Sequence, residues 1–266
     1  MKTIEEVKRQ IEELNIPDGA VVLVHTSLRA VGKIEGGGEA LLSLLIENIT
    51  SRGGILCLPT HTWDKLGRDC LTLDPSRKET CLGAFPTIAL AHPRGIRSYN
   101  PSHSAVAFGD PTRIKGLFAD ELCQSTPTSP TGFYGKLLNE SGYILLLGVG
   151  QNSNTYLHAV EELLGIPDRV AKDTTRVSAK LEDGSVVYRD MHMFEHRVHG
   201  DVSHKFYMYE PAFRHHGAIA DGTIGDAPVQ LCSCKKMAEA LKIMVDRAPT
   251  HDPLILGDTI PESLYV

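Results

Sequence analysis

The stretch YILLLGVGQNSNTYLHAVEELLG, residues 143–165, decides the fold that this sequence predicts. Residues 143–148 are apolar or small without interruption, a pattern typical of a strand buried on both faces. Several N-cap residue types follow, and apolar residues then recur at helical spacing until Gly165. A strand, a glycine turn and a helix N-terminus in succession form the element with which α/β proteins bind polar or anionic ligands.

Two polar side chains fall on the first turns of this predicted helix. His158 and Glu161 are three residues apart, so they share one helix face. A carboxylate at this spacing can orient an imidazole through one ring nitrogen and leave the other nitrogen free for chemistry. An ordinary surface ion pair has the same spacing, and the spacing by itself favours that interpretation.

Two earlier strands are predicted to end in polar side chains. The segment AVVLVHTSL, residues 20–28, indicates a buried strand that ends in His25, Thr26 and Ser27. The segment GGILCLPTHTW, residues 53–63, indicates a second strand with polar and aromatic residues at its end. Open α/β sheets bind ligands at the carboxyl ends of their strands, so a ligand site is expected there.

The rest of the chain predicts one α/β domain over residues 1–266, with a subregion boundary near residues 165–175. Residues 64–82 lack periodicity and are expected to form a surface loop. Beyond Gly165 the character changes, because the turn at residues 182–184 lies between two short strand patterns. We therefore expect a smaller β-hairpin and helical part at the C-terminal end.

Composition excludes several classes of protein. Hydrophobic residues make up 42% of the chain and charged residues 23%, which is ordinary for a globular protein. The net charge of −6 argues against nucleic acid or anionic membranes as partners and is compatible with a cationic small substrate. The six cysteines form no CxxC pair, the N-terminal residues form an amphipathic pattern rather than a signal peptide, and no apolar run approaches a membrane span. These features predict a cytoplasmic protein with reduced thiols.

Two motif-like segments carry little functional weight. The glycine turn after residue 147 resembles a dinucleotide fingerprint but lacks its third glycine and the later acidic residue, which argues against a nicotinamide enzyme. Residues 190–206 contain four histidines without a matching set of acids or cysteines, so we expect a loop and no metal site.

Six segments together resemble a known family. Taken in order, they resemble the aminoglycoside N3-acetyltransferases, also called antibiotic N-acetyltransferases, over about residues 3–180. The segments are VLVHTSLRAVG (22–32), GGG (36–38), ILCLPTHTW (55–63), RSYNPSHSAVAFG (97–109), SPTGFYGKLLNESGYILLLGVG (129–150) and NTYLHAVEE (154–162). The resemblance implies a three-layer α/β/α sandwich distinct from the GNAT fold, with acetyl-CoA as donor. It implies an amine as acceptor, in particular the 3-amino group of a 2-deoxystreptamine aminoglycoside, and thus antibiotic resistance.

The resemblance also implies roles for individual residues. His158 and Glu161 match the family's HxxE pair, in which the histidine is the general base. The cofactor-side positions lie in two segments that follow or precede strands, and they are His25, Thr26, Ser27, Arg29, Gly32, Ser102, His103 and Ser104.

The acceptor side departs from the family. The aminoglycoside-modifying members have an HPLDYGYG-like segment where this chain has CQSTPTSP, residues 123–130. Acetylation of another amine metabolite, or a non-catalytic member that only binds CoA or a ligand, is therefore the alternative. A cationic acceptor needs carboxylates, and Asp64, Asp69 and Asp201 are the candidates besides Glu161. A homodimer is compatible with the sequence.

Overall fold

A computed structural model describes residues 1–65 and 71–266 of the chain. The strands of this part of the chain are β1 (Val21–Thr26), β2 (Ile55–Pro59), β3 (Leu71–Leu73), β4 (Ile96–Arg97), β5 (Ala105–Phe108), β6 (Gly142–Leu147), β7 (Val170–Lys180), β8 (Val186–Phe194), β9 (Ile219–Ile224) and β10 (Ala227–Ser233). Its α-helices are α1 (Ile4–Glu13), α2 (Leu28–Val31), α3 (Gly37–Thr50), α4 (Ala84–Ala91), α5 (Pro111–Leu117), α6 (Phe133–Lys136), α7 (Tyr156–Leu163), α8 (Glu210–His215) and α9 (Cys234–Arg247).

The main sheet has seven strands in the order β4-β5-β2-β1-β6-β10-β9. The central strands β2, β1 and β6 run parallel, and the strands on either side pair antiparallel. The carboxyl ends of β1, β2 and β6 therefore lie at one edge of the sheet. Since β5 is antiparallel to β2, with Pro59 paired to Ala105, the start of β5 lies at the same edge.

Helices cover both faces of this sheet and give three layers. Alternate residues of β1 enter two separate hydrophobic clusters, Val21 and Leu23 on one face and Val22 and Val24 on the other. One cluster includes apolar residues of α7 and α9, and the other includes apolar residues of α1, α3 and α4. The predicted α/β/α sandwich is confirmed, and the uninterrupted apolar strands follow from burial on both faces.

A second, three-stranded sheet has the order β3-β7-β8. The hairpin predicted around residues 182–184 is present, since β7 and β8 pair antiparallel on either side of it. The surface loop expected over residues 64–82 is wrong for Leu71–Leu73, which forms β3 and pairs parallel with β7. A strand of three residues has no periodicity to detect, and its partner lies far along the chain. The single domain with a boundary near residues 165–175 stays a prediction.

The site-bearing helix α7 begins differently from its sequence prediction. A 3₁₀ turn, Gln151–Ser153, precedes it, and Thr155 at the N-cap makes no side-chain hydrogen bond to the helix. The Asn154 amide instead donates to the Gln151 side chain at 2.8 Å. Among the described residues, no helix is long and apolar enough to cross a membrane.

Candidate active site

Four histidines meet at the edge where the parallel strands end. His25 lies on β1, His61 follows β2, His103 precedes β5, and His158 lies on α7 after β6. The His61 and His103 rings are 4.2 Å apart between centroids. The His25, His103 and His158 rings all lie close enough to lower the pKa of His61 through their charges. We call these four residues the histidine cluster.

The histidine cluster is uncharged at neutral pH. Burial lowers the pKa of His25, His103 and His158 to about 3 each. Burial lowers the pKa of His61 well below its usual range, and the neighbouring histidines lower it further. A neutral imidazole has one nitrogen that donates a hydrogen bond and one that accepts, so each ring can take part in acid–base chemistry.

Hydrogen bonds fix two of the four rings. His61 Nε2 lies 2.9 Å from the Tyr134 hydroxyl oxygen, and that hydroxyl donates to the His103 carbonyl at 3.1 Å. Because the hydroxyl proton is used in this way, His61 Nε2 carries the proton and donates to Tyr134. His103 Nδ1 lies 2.7 Å from Ser102 Oγ. Sequence reasoning assigned no role to His61 or Tyr134, although the polar end of β2 was a signal for the first.

His158 is held by aromatic rings instead. The side chain is half-buried on the first turns of α7. The Phe194 ring stacks on it with centroids 4.2 Å apart and planes 20° apart, and the Phe206 ring lies 4.8 Å away at 59°. Among the hydrogen bonds of the described residues, none involves a ring nitrogen of His158.

The structure does not pair Glu161 with His158. Glu161 is fully buried, and its carboxylate accepts from Arg169 Nε at 2.9 Å and from the Tyr209 hydroxyl at 2.8 Å. Arg169 also donates to Asp252 Oδ1 at 2.8 Å. Residues three apart on an α-helix are offset by about 60°, which is enough to turn one side chain to the site and the other to the core. The carboxylate is thus neither a surface ion pair nor the hydrogen-bond partner of the imidazole, and the catalytic role expected for Glu161 stays a prediction.

The end of β1 carries unpaired polar atoms. His25 Nε2 and Thr26 Oγ1 are buried and have no hydrogen-bond partner among the described residues. Ser27 caps α2, and its hydroxyl oxygen accepts from the Ala30 N–H at 3.3 Å. Buried polar groups are nearly always paired, so these two atoms are available to hydrogen-bond a ligand.

The two other cofactor candidates on this side lie on and after α2. Arg29 is exposed. Gly32 ends the helix at φ 77°, and a Cβ there would lie 2.4 Å from Asp226 Oδ2. The positive φ of Gly32 and its close packing against Asp226 are enough to require glycine at this position. A contact between Gly32 and CoA stays a prediction.

The residues of the second cofactor-side segment, 102–104, lie in two different surroundings. The Ser104 hydroxyl lies in the core, where it donates to the Thr60 carbonyl at 2.7 Å and accepts from Arg97 Nε at 3.1 Å. Ser102 is fully buried and faces His103. His103 is therefore the residue of this segment that belongs to the histidine cluster, and Ser102 contacts its ring.

The acceptor-side carboxylates occupy different places. Asp64 is exposed in the 3₁₀ turn Trp63–Lys65 that follows β2. Asp69 lies outside the described residues. Asp201 is exposed, and its carboxylate accepts from the Ser203 N–H at 3.0 Å. Its charge raises the pKa of His158, which places it near the imidazole.

No group of three metal-ligating side chains occurs within residues 1–65 and 71–266. The loop expected over residues 190–206 is wrong at both of its ends, since β8 extends to Phe194 and a 3₁₀ helix spans Val202–Tyr209. Two histidines of this segment have separate partners. His192 Nδ1 contacts the Ala171 carbonyl oxygen at 2.9 Å, and His199 Nε2 lies 3.9 Å from Asp168.

A mixed sheet between helix layers, with neutral imidazoles where its parallel strands end, defines an α/β protein equipped for proton transfer at this edge. A sequence model of the aminoglycoside 3-N-acetyltransferases matches residues 23–246, so the chain belongs to that family.

Individual relatives agree with this assignment. Aminoglycoside N(3)-acetyltransferase IV from Salmonella sp is 30% identical over 187 residues, covering 70% of this chain and 67% of the relative. Aminoglycoside N(3)-acetyltransferase IX from Micromonospora chalcea is 28% identical over 203 residues, covering 70% of each. The crystal structure of a mutant of aminoglycoside acetyltransferase AAC(3)-IVa in complex with gentamicin superposes with a TM-score of 0.75 at 25% identity, covering 93% of this chain and 90% of that one. The CoASH complex of AAC-IIIb has the same fold, with a TM-score of 0.75 at 22% identity over 90% and 94% of the two chains.

Proposed function

We propose that this chain is an acetyl-CoA-dependent N-acetyltransferase that modifies the 3-amino group of a 2-deoxystreptamine aminoglycoside. Family membership supports the reaction. The observation that carries it is His158, a neutral and half-buried imidazole among three others where the parallel strands end. Acetylation converts a cationic amine to a neutral amide, so the aminoglycoside loses one positive charge.

His158 is the proposed general base. An amine attacks an acyl group only in its neutral form, so a proton must leave the nitrogen before or during bond formation. Burial lowers the pKa of His158 to about 3, so the imidazole is unprotonated at neutral pH, and the charge of Asp201 raises that pKa and so strengthens the imidazole as a base. Asp201 stabilises the imidazolium as it forms, because its negative charge acts on His158.

The end of β1 is the proposed binding site for CoA. Bound acetyl-CoA supplies the acetyl group as a thioester. His25 Nε2 and Thr26 Oγ1 are unpaired and fit the amide groups of a pantetheine arm, which offer both donors and acceptors. Arg29, exposed on α2, is the nearby cation suited to the phosphates of CoA.

Exposed carboxylates are proposed to bind the cationic acceptor. Asp201 is the first candidate because it lies near His158, and Asp64 lies on the turn after β2. Asp69 stays a candidate from the sequence alone. Three further properties stay predictions: a cytoplasmic location, a homodimer, and the lack of nucleic-acid or membrane partners. Light scattering in solution would measure the oligomeric state.

The proposed reaction is tested by measuring release of the CoA thiol from acetyl-CoA with 2-deoxystreptamine antibiotics and simple amines. Thiol release with the antibiotics, and NMR of the product showing acetylation at the 3-amino group, are expected. Ligand-induced stabilisation without thiol release would overturn the enzymatic function.

The role of His158 is tested by His158→Ala. Loss of a general base lowers kcat by about 10²–10⁴, while acetyl-CoA binding changes little. A variant that keeps more than half of the wild-type kcat would place the base elsewhere, and His25 is the next residue to replace.

A further inference from the structure

His158 differs from His61 and His103 in what holds its ring. His61 and His103 each have a hydrogen bond at a ring nitrogen, to Tyr134 and Ser102. In the described part of the chain His158 has none, and its neighbours are the rings of Phe194 and Phe206. The orientation of the proposed base is therefore set by packing.

A catalytic imidazole is usually oriented by a carboxylate or carbonyl at one nitrogen. The carboxylate at the right spacing, Glu161, binds Arg169 and Tyr209. Both of its oxygens accept hydrogen bonds from these residues, so it does not orient the His158 ring. The nearly parallel Phe194 ring, 4.2 Å away at 20°, restricts rotation of the imidazole plane.

The position of Phe194 is set by the irregular end of the β7–β8 hairpin. It is the last residue of β8, and it pairs with Val170 at the start of β7. The register between β7 and β8 shifts between Val170 and Thr174, so the hairpin is irregular just where Phe194 turns towards the main sheet. Such irregularities re-aim side chains next to sites. The Phe194 ring also meets His103 edge-on at 5.2 Å, so it lies between two members of the histidine cluster.

We propose that Phe194 is the positioning residue of His158, and that its ring holds the imidazole plane in the role that a hydrogen-bonded carboxylate fills in other enzymes. The proposal rests on the proposed function, because the orientation matters for proton transfer from the acceptor. Phe194 also shields the imidazole from water, which keeps the ring neutral.

Several charged or titratable groups act on His158, and replacing Phe194 removes none of them. Asp201 raises the pKa of His158, and Arg169 and His196 lower it. His158 in turn lowers the pKa of His103 and of His61. A change in the titration of His158 in a Phe194 variant therefore reports on the loss of the ring itself.

The experiment compares Phe194→Ala and Phe194→Leu with wild type in two measurements. NMR of histidines labelled at the ring carbon gives the pKa of His158 without substrate, with the His158→Gln spectrum assigning its signal. Steady-state kinetics give kcat and both KM values. Tyr188→Ala, which removes an exposed ring from the same strand β8, is the matched control.

In Phe194→Ala, more of the imidazole is exposed to water, so its pKa rises from about 3 towards 6.5 and the acid limb of the rate profile moves to higher pH. Phe194→Leu keeps the apolar cover but not the flat stack, so its pKa stays low while kcat falls by about 3- to 10-fold and the KM for acetyl-CoA is unchanged. Tyr188→Ala matches wild type in both measurements.

A His158 pKa unchanged in Phe194→Ala, or a kcat within twofold of wild type in folded Phe194→Leu, would overturn the proposal. If Phe194→Ala does not fold, Phe194→Leu decides alone. Absence of acetyl transfer in the wild type would overturn the proposed function instead, and the NMR titration would still measure whether Phe194 controls His158.

Discussion

Glu161→Gln should reduce stability far more than catalysis. The substitution keeps the size of the side chain but removes its charge and replaces one acceptor oxygen with a donor. Arg169 and Tyr209 both donate to this carboxylate, so one of them loses its acceptor. The Glu161 side chain is 0% exposed and that of Arg169 4%, so water cannot replace the lost partner. Breaking a buried ion pair costs about 3–5 kcal/mol, and since Asp252 still neutralises Arg169 we expect the lower end, about 3 kcal/mol.

The free energy of unfolding is measured by urea denaturation at pH 7.5, together with kcat under conditions where the variant is folded. Glu239→Gln is the control, because this carboxylate is exposed on α9 and its loss should change stability by less than about 0.5 kcal/mol. The kcat of Glu161→Gln should stay within about threefold of wild type, because the carboxylate does not contact His158. A loss of less than about 1 kcal/mol together with a 100-fold fall in kcat would refute this reasoning and return Glu161 to the role of orienting His158.

Three further outcomes follow from the structure. Burial raises the pKa of Glu121 from 4.5 to about 7, so its contribution to stability is present below pH 4.5 and is lost as pH rises through 7. Glu121→Gln should gain about 2 kcal/mol of stability relative to wild type between urea unfolding at pH 5.5 and at pH 8.5, and equal pH dependence of the two proteins would contradict this. Asp201→Asn should raise the KM for a cationic acceptor and weaken its dependence on salt, and an unchanged salt dependence would show that Asp201 does not bind the acceptor. Burial raises the pKa of the Cys57, Cys232 and Cys234 thiols, so direct transfer is expected to give intersecting double-reciprocal lines; parallel lines with an isolable acetyl-enzyme would show a covalent route.

The sequence predicts the central strands and α7 well because their signals are local. An apolar run such as that of β1 requires burial on both faces, and the two hydrophobic clusters supply it. The strand β3 was not predicted, because three residues are too few to show an alternating apolar pattern and its partner β7 is about a hundred residues away. Long-range pairing of this kind leaves no pattern in either segment.

The same limit applies to the candidate site. Strand ends and motif resemblance pointed to His25, His103 and His158, each of which lies in the histidine cluster. The contact of His61 with Tyr134 joins positions 73 residues apart, and spacing along the chain gives no indication of it. Helical spacing predicted that Glu161 and His158 share one helix face, but Glu161 turns to the core and binds Arg169 and Tyr209, because the neighbour that each residue meets depends on how the rest of the chain packs.

The bond between Arg169 and Asp252 joins residues 83 positions apart. When the chain is synthesised, Glu161 and Tyr209 are made well before Asp252, so Arg169 first has only one of its two carboxylate partners. The turn that follows α7 is thus fully neutralised only after residue 252 has left the ribosome. Until then the helix that carries His158 is held by an incomplete network of hydrogen bonds. In stalled nascent chains, a protease should therefore cut near Arg169 when Asp252 is still inside the ribosome, and should not cut there once Asp252 has left it.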